Sequence, residues 1–299
     1  MHYKKIVISV ALIKSGPSYI CLRRNSEPYY HYLEFPGGKI IKGESPSLCL
    51  SREISEELDI TIKKHKFIGT IKHLYDNVLI EINVFKVFRY DRLIHSNEGH
   101  KIVLYNSLSN DNILPTHHRI LNLLKLPRLL KIFNSCDFIN IKELDISCYT
   151  FIRLRGINYQ FYQKYIKDEL ISQRYKGAII IDYPYNLDWK CHYDGIHFSS
   201  KNLCKFEIQC KDPKILYSAS CHTKKDIELC NKMLFDFILI SPVLQSHSKY
   251  NAIDWPGFSK LCELSYAPAY ALGGLSSNYD DINISIKNRG FGIAGISQI

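Results

Sequence analysis

The sequence predicts an α/β protein with two domains, a mixed sheet with helices on it and then a compact (β/α)8 TIM-type barrel. A chain of 299 residues is long for one domain of the first kind. Near residue 129 the hydrophobic pattern changes to short apolar strands that alternate with helical stretches. We therefore place the domains at residues 1–128 and 129–299. The second domain is smaller than the typical barrel of about 250 residues, so several helices should be short.

In the first domain, Ser45 is a good N-cap and Pro46 suits the first helical position, which predicts a helix over 46–58. Its apolar positions are Leu48, Leu50, Ile54 and Leu58. A closing helix at about 116–125 ends at Leu126-Pro127-Arg128. Strands are predicted near 5–13, 18–24, 67–74 and 78–88.

Eight apolar runs in the second domain have the length and spacing of barrel strands. They lie at 130–134, 149–154, 177–182, 194–198, 215–219, 236–240, 268–272 and 291–296.

Three carboxylates share one face of the predicted helix, since Glu53, Glu56 and Glu57 are spaced i, i+3 and i+4. Taken alone, such a face is usually solvated surface. The residues before it favour a site for a hard cation such as Mg²⁺ or Mn²⁺. A Pro36-Gly37-Gly38 loop signal comes first, and Glu44 and Arg52 follow at fixed distances.

This spacing resembles the Nudix box, G-x5-E-x7-R-E-U-x-E-E-x-G-U with U apolar. The one departure is Asp59, where the pattern has its second glycine; aspartate tolerates the left-handed conformation well enough for the turn to form. The preceding run, Leu33 to Ile40, resembles the MutT branch of the family. The matching residues are Gly38, Glu44, Arg52, Glu53, Ile54, Glu56, Glu57 and Ile60.

The resemblance implies a Nudix α/β/α sandwich that hydrolyses nucleoside diphosphates linked to a further group. It implies Mg²⁺, with Mn²⁺ as an alternative, held by Glu53, Glu56, Glu57 and the Gly37 carbonyl. The cation would neutralise the pyrophosphate and lower the pKa of a bound water. The resemblance also makes Arg52 the residue that orients the carboxylates and Glu44 an outer ligand or loop support. Glu98 falls where relatives carry a metal ligand or base, although an ordinary loop carboxylate is an equal alternative.

The same resemblance assigns the nucleotide side of the site to four residues, Arg24, Glu34, Phe35 and His117. Relatives that remove 8-oxo-dGTP from the nucleotide pool, and so serve mutation avoidance, DNA replication and DNA repair, read the base with an asparagine. Here Thr116-His117 stands near that position. An imidazole cannot reproduce the paired donor and acceptor of an amide, so selectivity for the oxidised base is left open.

The second domain is similar to the thiamine phosphate synthase and thiazole tautomerase family. The residues that carry this resemblance are Tyr193 to His197, Ser218 to His222, Asp236 to Val243, Tyr270 to Leu275 and Gly292 to Ser297. It implies phosphate or ligand contacts from Arg155, His222, Ser246, Ser248, Lys249, Gly273, Gly274, Ile296 and Ser297. His222 would be a tautomerase acid/base, or a satisfied structural histidine.

Three positions depart from the synthase pattern. Ile181 replaces the asparagine of an Asn-Asp pair, Asn202 replaces a metal carboxylate, and Ile157 replaces a lysine. Full synthase activity is therefore not expected of the barrel.

Composition and charge indicate the cellular compartment and the kind of partner that the protein binds. Ten scattered cysteines without zinc spacing indicate a reducing cytoplasm. The apolar run after Lys5 is interpreted as a strand and not a signal segment, and no stretch reaches the ~18 apolar residues of a membrane span. The net charge of +10 favours polyanionic substrates. No basic run interleaved with aromatics was found, so stable nucleic-acid binding is not expected.

The leading interpretation is a cytoplasmic, Mg²⁺-dependent Nudix pyrophosphohydrolase that converts 8-oxo-dGTP to the monophosphate and pyrophosphate. Its barrel would have reduced activity. One alternative makes the substrate a pyrophosphate of the thiamine pathway. Another makes the barrel a binding module for a phosphorylated thiazole or pyrimidine.

Overall fold

The computed structural model describes residues 3–97, 99–106, 112–134, 150–172, 174–183, 193–205, 212, 214–246, 250–276 and 279–296. It divides into two compact units, Met1–Lys125 and Leu126–Ile299. The sequence places the domain boundary three residues later, after residue 128, and that boundary stays a prediction. No helix among the described residues has the length and apolar character needed to cross a bilayer.

The first unit contains a seven-stranded mixed sheet with the order β3-β2-β1-β6-β5, in which β4 also pairs with β1 and β7 with β2. The predicted strands are present, but β5 begins at Ile62, earlier than expected. The bounds are Lys4–Ser15 (β1), Ser18–Arg23 (β2), Leu33–Glu34 (β3), Gly37–Lys39 (β4), Ile62–Tyr75 (β5), Val78–Tyr90 (β6) and Lys101–Tyr105 (β7).

Helix α1 runs from Pro46 to Leu58, as the sequence predicts. The Ser45 hydroxyl accepts a hydrogen bond from the Leu48 N–H at 3.3 Å and so caps the helix. Asp59 ends it in the left-handed region, with φ 51° and ψ 36°. The turn therefore forms without the glycine of the family pattern.

The buried face of α1 differs from the expected one at a single position. Leu50, Ile54 and Leu58 are buried, but Leu48 is 63% exposed and Cys49 takes the buried place beside them. The apolar face packs on residues of β1, β2 and β6 such as Ile13, Leu22 and Phe85. This packing leaves the carboxylates of α1 on the side of β4.

The second unit is a closed barrel of eight parallel strands that pair in chain order. All eight predicted strands are confirmed. They are Leu129–Asn134 (β8), Phe151–Arg155 (β9), Ala178–Asp182 (β10), Gly195–Phe198 (β11), Leu216–Cys221 (β12), Phe237–Ile240 (β13), Ala269–Leu272 (β14) and Gly292–Gly295 (β15).

The helical segments are short, as the domain size predicts. A 3-10 turn, Ser200–Lys205, follows β11 in place of a full helix. The bounds of the others are Pro115–Lys125 (α2, in the first unit), Tyr159–Phe161 (α3), a π-helical Tyr162–Ile166, Lys167–Ser172 (α4), Lys224–Lys232 (α5), Asp254–Leu264 (α6) and Tyr279–Lys287 (α7).

Candidate active site

The Pro36-Gly37-Gly38 segment, predicted to be a loop, leads into strand β4, where two glycines allow a close approach to β1 and α1. The Gly37 N–H donates to Glu57 Oε2 at 2.8 Å. Gly37 has φ +137°, and a Cβ there would lie 2.1 Å from the Ser9 carbonyl oxygen on β1. The backbone thus approaches both β1 and a glutamate of α1 as closely as glycine allows.

Arg52 is the centre of the carboxylate group. Its Nε and Nη2 donate to the two oxygens of Glu44 at 2.9 and 3.0 Å. Its Nη1 donates to Glu53 at 2.8 Å and to Glu56 at 3.1 Å, and Nη2 also reaches the Lys39 carbonyl at 3.1 Å. One guanidinium therefore orders three carboxylates and the loop.

The pairing of Arg52 with Glu44 shifts the pKa values of both residues. The hydrogen bonds from Arg52 hold the pKa of Glu44 below its ordinary value. Glu44 and Glu53 in turn raise the pKa of Arg52. Glu44 therefore stays ionised at neutral pH and keeps its pairing with Arg52.

The donor set fits a hard divalent cation. Glu53, Glu56 and Glu57 supply carboxylate oxygens from one face of α1. Strand β4 approaches this face most closely at its glycines. Among the described residues, no three His, Cys, Asp or Glu side chains are grouped closely enough to hold a metal ion. In this arrangement Arg52 and the Gly37 N–H are bonded to the glutamates. Glu98 lies outside the described residues.

Gly38→Ala should remove most activity by displacing Glu53. A Cβ on Gly38 would lie 2.2 Å from the Glu53 carboxyl carbon and from its Oε2. We expect kcat to fall at least about tenfold while the chain still folds, measured by steady-state hydrolysis and circular dichroism. Gly16→Ala is the control: a Cβ there meets no atom within 4 Å, so its φ of +59° should cost some stability and leave kcat unchanged. Full activity in Gly38→Ala would show that the position of Glu53 does not matter.

The predicted nucleotide-side residues are brought together around β3. Arg24 forms an ion pair with Glu34, while burial raises the pKa of Glu34 against the opposing effect of Arg24. The Phe35 N–H donates to His117 Nε2. The Phe35 and His117 rings stack with centroids 4.3 Å apart and planes 6° apart.

His117 is 3% exposed, and burial lowers its pKa to about 3. The imidazole is therefore neutral at physiological pH, with its acceptor nitrogen used by the backbone of Phe35. Within the described structure, its role is to position Phe35.

Sequence reasoning missed an aromatic group beside these residues. Tyr75 lies 6.0 Å from Tyr29 between ring centroids, and its hydroxyl donates to Thr116 at 3.5 Å. Tyr29 also packs edge-on against Tyr32 at 5.3 Å. The chain separations, over 40 residues in places, hide this group from any local pattern, since only the fold brings β5 to the loop before β3.

The barrel holds a buried ion pair that was also missed. Arg153 donates to both oxygens of Asp182, at 2.8 and 3.2 Å, and the Gly156 N–H donates to the same carboxylate at 3.2 Å. Arg153 is 6% exposed. Alternation along β9 could have placed Arg153 on the inward face, which it shares with Arg155 two residues later.

Two histidines of the barrel have different surroundings. Each nitrogen of His197 lies within hydrogen-bonding distance of a serine on β12, Ser218 at 2.9 Å and Ser220 at 2.8 Å. Burial, with Arg153 and Arg155, lowers the pKa of His197 well below its usual range. His222 follows β12, and its Nδ1 donates to the Ser241 carbonyl at 2.6 Å. Its ring stacks on Tyr250 at 4.0 Å.

The remaining barrel candidates follow the carboxyl ends of strands, the rim where such barrels carry ligands. Gly273 and Gly274 have φ +97° and +69°, and a Cβ on Gly273 would lie 3.4 Å from Ser246 Oγ. Arg155 ends β9 and is exposed. The Ile296 carbonyl accepts from Lys131 Nζ at 2.8 Å. Ser248, Lys249 and Ser297 lie outside the described residues.

Both halves of the chain match known families. The model described as NUDIX domain matches residues 4–106. An 8-oxo-dGTP diphosphatase of Buchnera aphidicola subsp. Schizaphis graminum is 33% identical over 129 residues, 42% of this chain and 97% of that protein. The model described as thiamine monophosphate synthase matches residues 149–299. The chain belongs to both the Nudix and the thiamine monophosphate synthase families.

Further similarities cover one half each. The 8-oxo-dGTP diphosphatase of Escherichia coli (strain K12) is 30% identical over 98 residues, 32% of this chain and 76% of that protein. A thiamine phosphate pyrophosphorylase structure from Pyrococcus furiosus is 18% identical, covers 58% of this chain and 88% of its own, and has a TM-score of 0.46. The two family models and the matched diphosphatases identify the protein as a Nudix hydrolase joined to a thiamine-phosphate-synthase-like barrel.

Proposed function

We propose that the Nudix domain hydrolyses 8-oxo-dGTP to its monophosphate and pyrophosphate with Mg²⁺. The observation that carries the proposal is the group of glutamates that Arg52 and the Gly37 N–H hold together beside β4. The named 8-oxo-dGTP diphosphatases that match the same half of the chain support the choice of substrate.

Each residue of the group has a role in this proposal. Glu53, Glu56, Glu57 and the Gly37 carbonyl would hold Mg²⁺, which when bound would neutralise the pyrophosphate and activate water for attack on phosphorus. Arg52 and Glu44 keep the carboxylates oriented. Glu98 is proposed as a further ligand or base. Arg24, Glu34 and Phe35 would hold the nucleotide.

The test identifies the products of 8-oxo-dGTP hydrolysis with and without a divalent metal ion. With Mg²⁺ and 8-oxo-dGTP we expect equimolar monophosphate and pyrophosphate by anion-exchange chromatography, and loss of both products in EDTA. Restoration by Mn²⁺ would agree with a hard-cation site. Release of inorganic phosphate with the diphosphate, or turnover in EDTA, would contradict the proposal.

His117→Asn should raise the ratio of kcat/KM for 8-oxo-dGTP to that for dGTP. An asparagine can still accept the Phe35 N–H bond that His117 accepts now, and it adds an amide donor near the base. The ratio is measured in competition assays with both nucleotides. His118→Asn, at the adjacent exposed position, is the control. An unchanged ratio in His117→Asn would place the base elsewhere.

For the barrel we propose binding of a phosphorylated thiazole or pyrimidine with reduced synthase activity. Asp182 is engaged by Arg153 and Gly156, and Ile181 and Asn202 stand where the synthase pattern has metal or diphosphate ligands. Tautomerase chemistry at His222 stays a proposal, and the bond from its Nδ1 to the Ser241 carbonyl supports the alternative, structural role.

We place the protein in the cytoplasm. Supporting this proposal, the six described cysteines Cys21, Cys49, Cys204, Cys221, Cys230 and Cys262 are free thiols.

A further inference from the structure

Four cationic side chains and an exposed aromatic ring lie on neighbouring positions of the β5–β6 hairpin of the first unit. Lys64 and Lys66 lie on β5, and Lys86 and Arg89 lie on β6. Phe88, between the last two in sequence, is 51% exposed. These five residues are called the basic patch.

The strand register puts the five side chains on one face of the sheet. Lys64 is opposite Arg89 and Lys66 is opposite Lys86, and opposite residues share a face. The pairing moves from Arg89 to Val87 while β5 advances one residue, so the bulge leaves Phe88 and Arg89 together facing Lys64. Lys86 Nζ lies 5.2 Å from the Phe88 ring centroid, which confirms the common face.

The charges of the patch are not neutralised within the described part of the chain. Nearby carboxylates serve other cations, because Asp91 pairs with Lys63 and Asp59 with Arg92. None of the four patch cations forms an ion pair with a described residue. Like charges directly opposite each other destabilise a sheet, so this face favours the arrival of an external anion.

Protection of a sheet edge explains only half of the patch. β5 is the last strand of the sheet, and lysines on an edge strand discourage pairing with other chains. Lys86 lies on β6 between β1 and β5, opposite Leu12 of β1. Phe88 and Arg89 lie just beyond Val87, the last residue of β6 that pairs with β1. Edge protection therefore accounts neither for the charge of Lys86 nor for an exposed ring at Phe88.

We infer that the basic patch binds single-stranded nucleic acid, with phosphates against the four cations and a base stacked on Phe88. Cations flanking an exposed ring are the elements of such sites. Stable nucleic-acid binding was not expected from the sequence, since no single basic run is interleaved with aromatics; the two halves of the patch are about 20 residues apart in the chain. Antiparallel pairing of β5 with β6 interleaves them.

The test is fluorescence anisotropy of a labelled 12-nucleotide oligo(dT) with the full chain between 50 and 200 mM salt. Four phosphate contacts predict a slope of about −3 for log K against log salt. Lys66→Ala combined with Lys86→Ala should about halve that slope. Phe88→Ala should weaken binding about tenfold, and Phe88→Leu should weaken it similarly because it keeps the apolar bulk and loses the ring.

The matched control is Lys225→Ala with Lys232→Ala, which removes two exposed charges from α5 in the other unit. It should leave affinity and slope close to those of the unmodified chain. Equal loss in this control, unchanged binding in Phe88→Ala, or full displacement of the oligonucleotide by an equal charge of heparin would overturn the inference. Hydrolysis of 8-oxo-dGTP by each variant verifies folding separately.

Discussion

Glu53→Gln is expected to lower kcat at least about 100-fold while the protein keeps its fold. The substitution removes a charge from the proposed cation site and preserves the shape of the side chain. Removal of one preorganised electrostatic group has effects of this size in other active sites. The amide oxygen can still accept the Arg52 bond that Glu53 accepts at 2.8 Å, so the loop should stay in place. The measurement is steady-state hydrolysis at saturating Mg²⁺, with circular dichroism for folding.

Glu228→Gln is the matched control for this prediction. Glu228 pairs with Lys224 on an exposed helix of the barrel, and its side chain is 60% exposed. Its loss should leave kcat unchanged. Normal turnover in Glu53→Gln would show that the charge of Glu53 is not needed and that the site has been assigned to the wrong residues.

Asp182→Ala should destabilise the barrel by about 3 kcal/mol. It leaves the Arg153 guanidinium, 6% exposed, without its partner, and breaking a buried pair from one side costs about 3–5 kcal/mol. The lower end applies because the Asp182 side chain is 25% exposed. Urea unfolding followed by tryptophan fluorescence reports on the barrel, since both tryptophans, Trp189 and Trp255, belong to its sequence.

Two further variants distinguish the stability lost with the Arg153–Asp182 pair from the stability lost with any single carboxylate. Asp168→Ala removes an exposed carboxylate from the first turn of α4 and should cost no more than about 1 kcal/mol. Arg153→Met combined with Asp182→Leu should recover most of the lost stability, because apolar replacement of a whole buried pair is often neutral. An Asp182→Ala chain as stable as Asp168→Ala would contradict a structural role for the pair.

The sequence predicts an element correctly where its hydrophobic periodicity matches the residues that the fold buries. The eight barrel strands are buried apolar runs, so their periodicity and spacing sufficed, and α1 carried its own cap in Ser45. The short β3 and β4, of two and three residues, carry too little sequence to show a period. The start of β5 was misplaced because Lys63, Lys64 and Lys66 read as a loop, whereas an edge strand tolerates them.

The candidate site could be predicted where its residues follow one another on a helix, as from Arg52 to Glu57. Contacts between segments that are far apart in the sequence could not be predicted. The Phe35–His117 stack joins residues 82 positions apart, and the Arg153–Asp182 pair joins two barrel strands. Alternation along β9 places Arg153 inward, but only the paired strand shows that it neutralises Asp182.

The most direct test of the central claim is a comparison of kcat/KM with Mg²⁺ for 8-oxo-dGTP, dGTP, thiamine pyrophosphate and hydroxymethylpyrimidine pyrophosphate. Our account predicts the highest value for 8-oxo-dGTP, and loss of that activity in Glu53→Gln. A higher value for either thiamine-type pyrophosphate would contradict it and would make the two domains parts of one pathway.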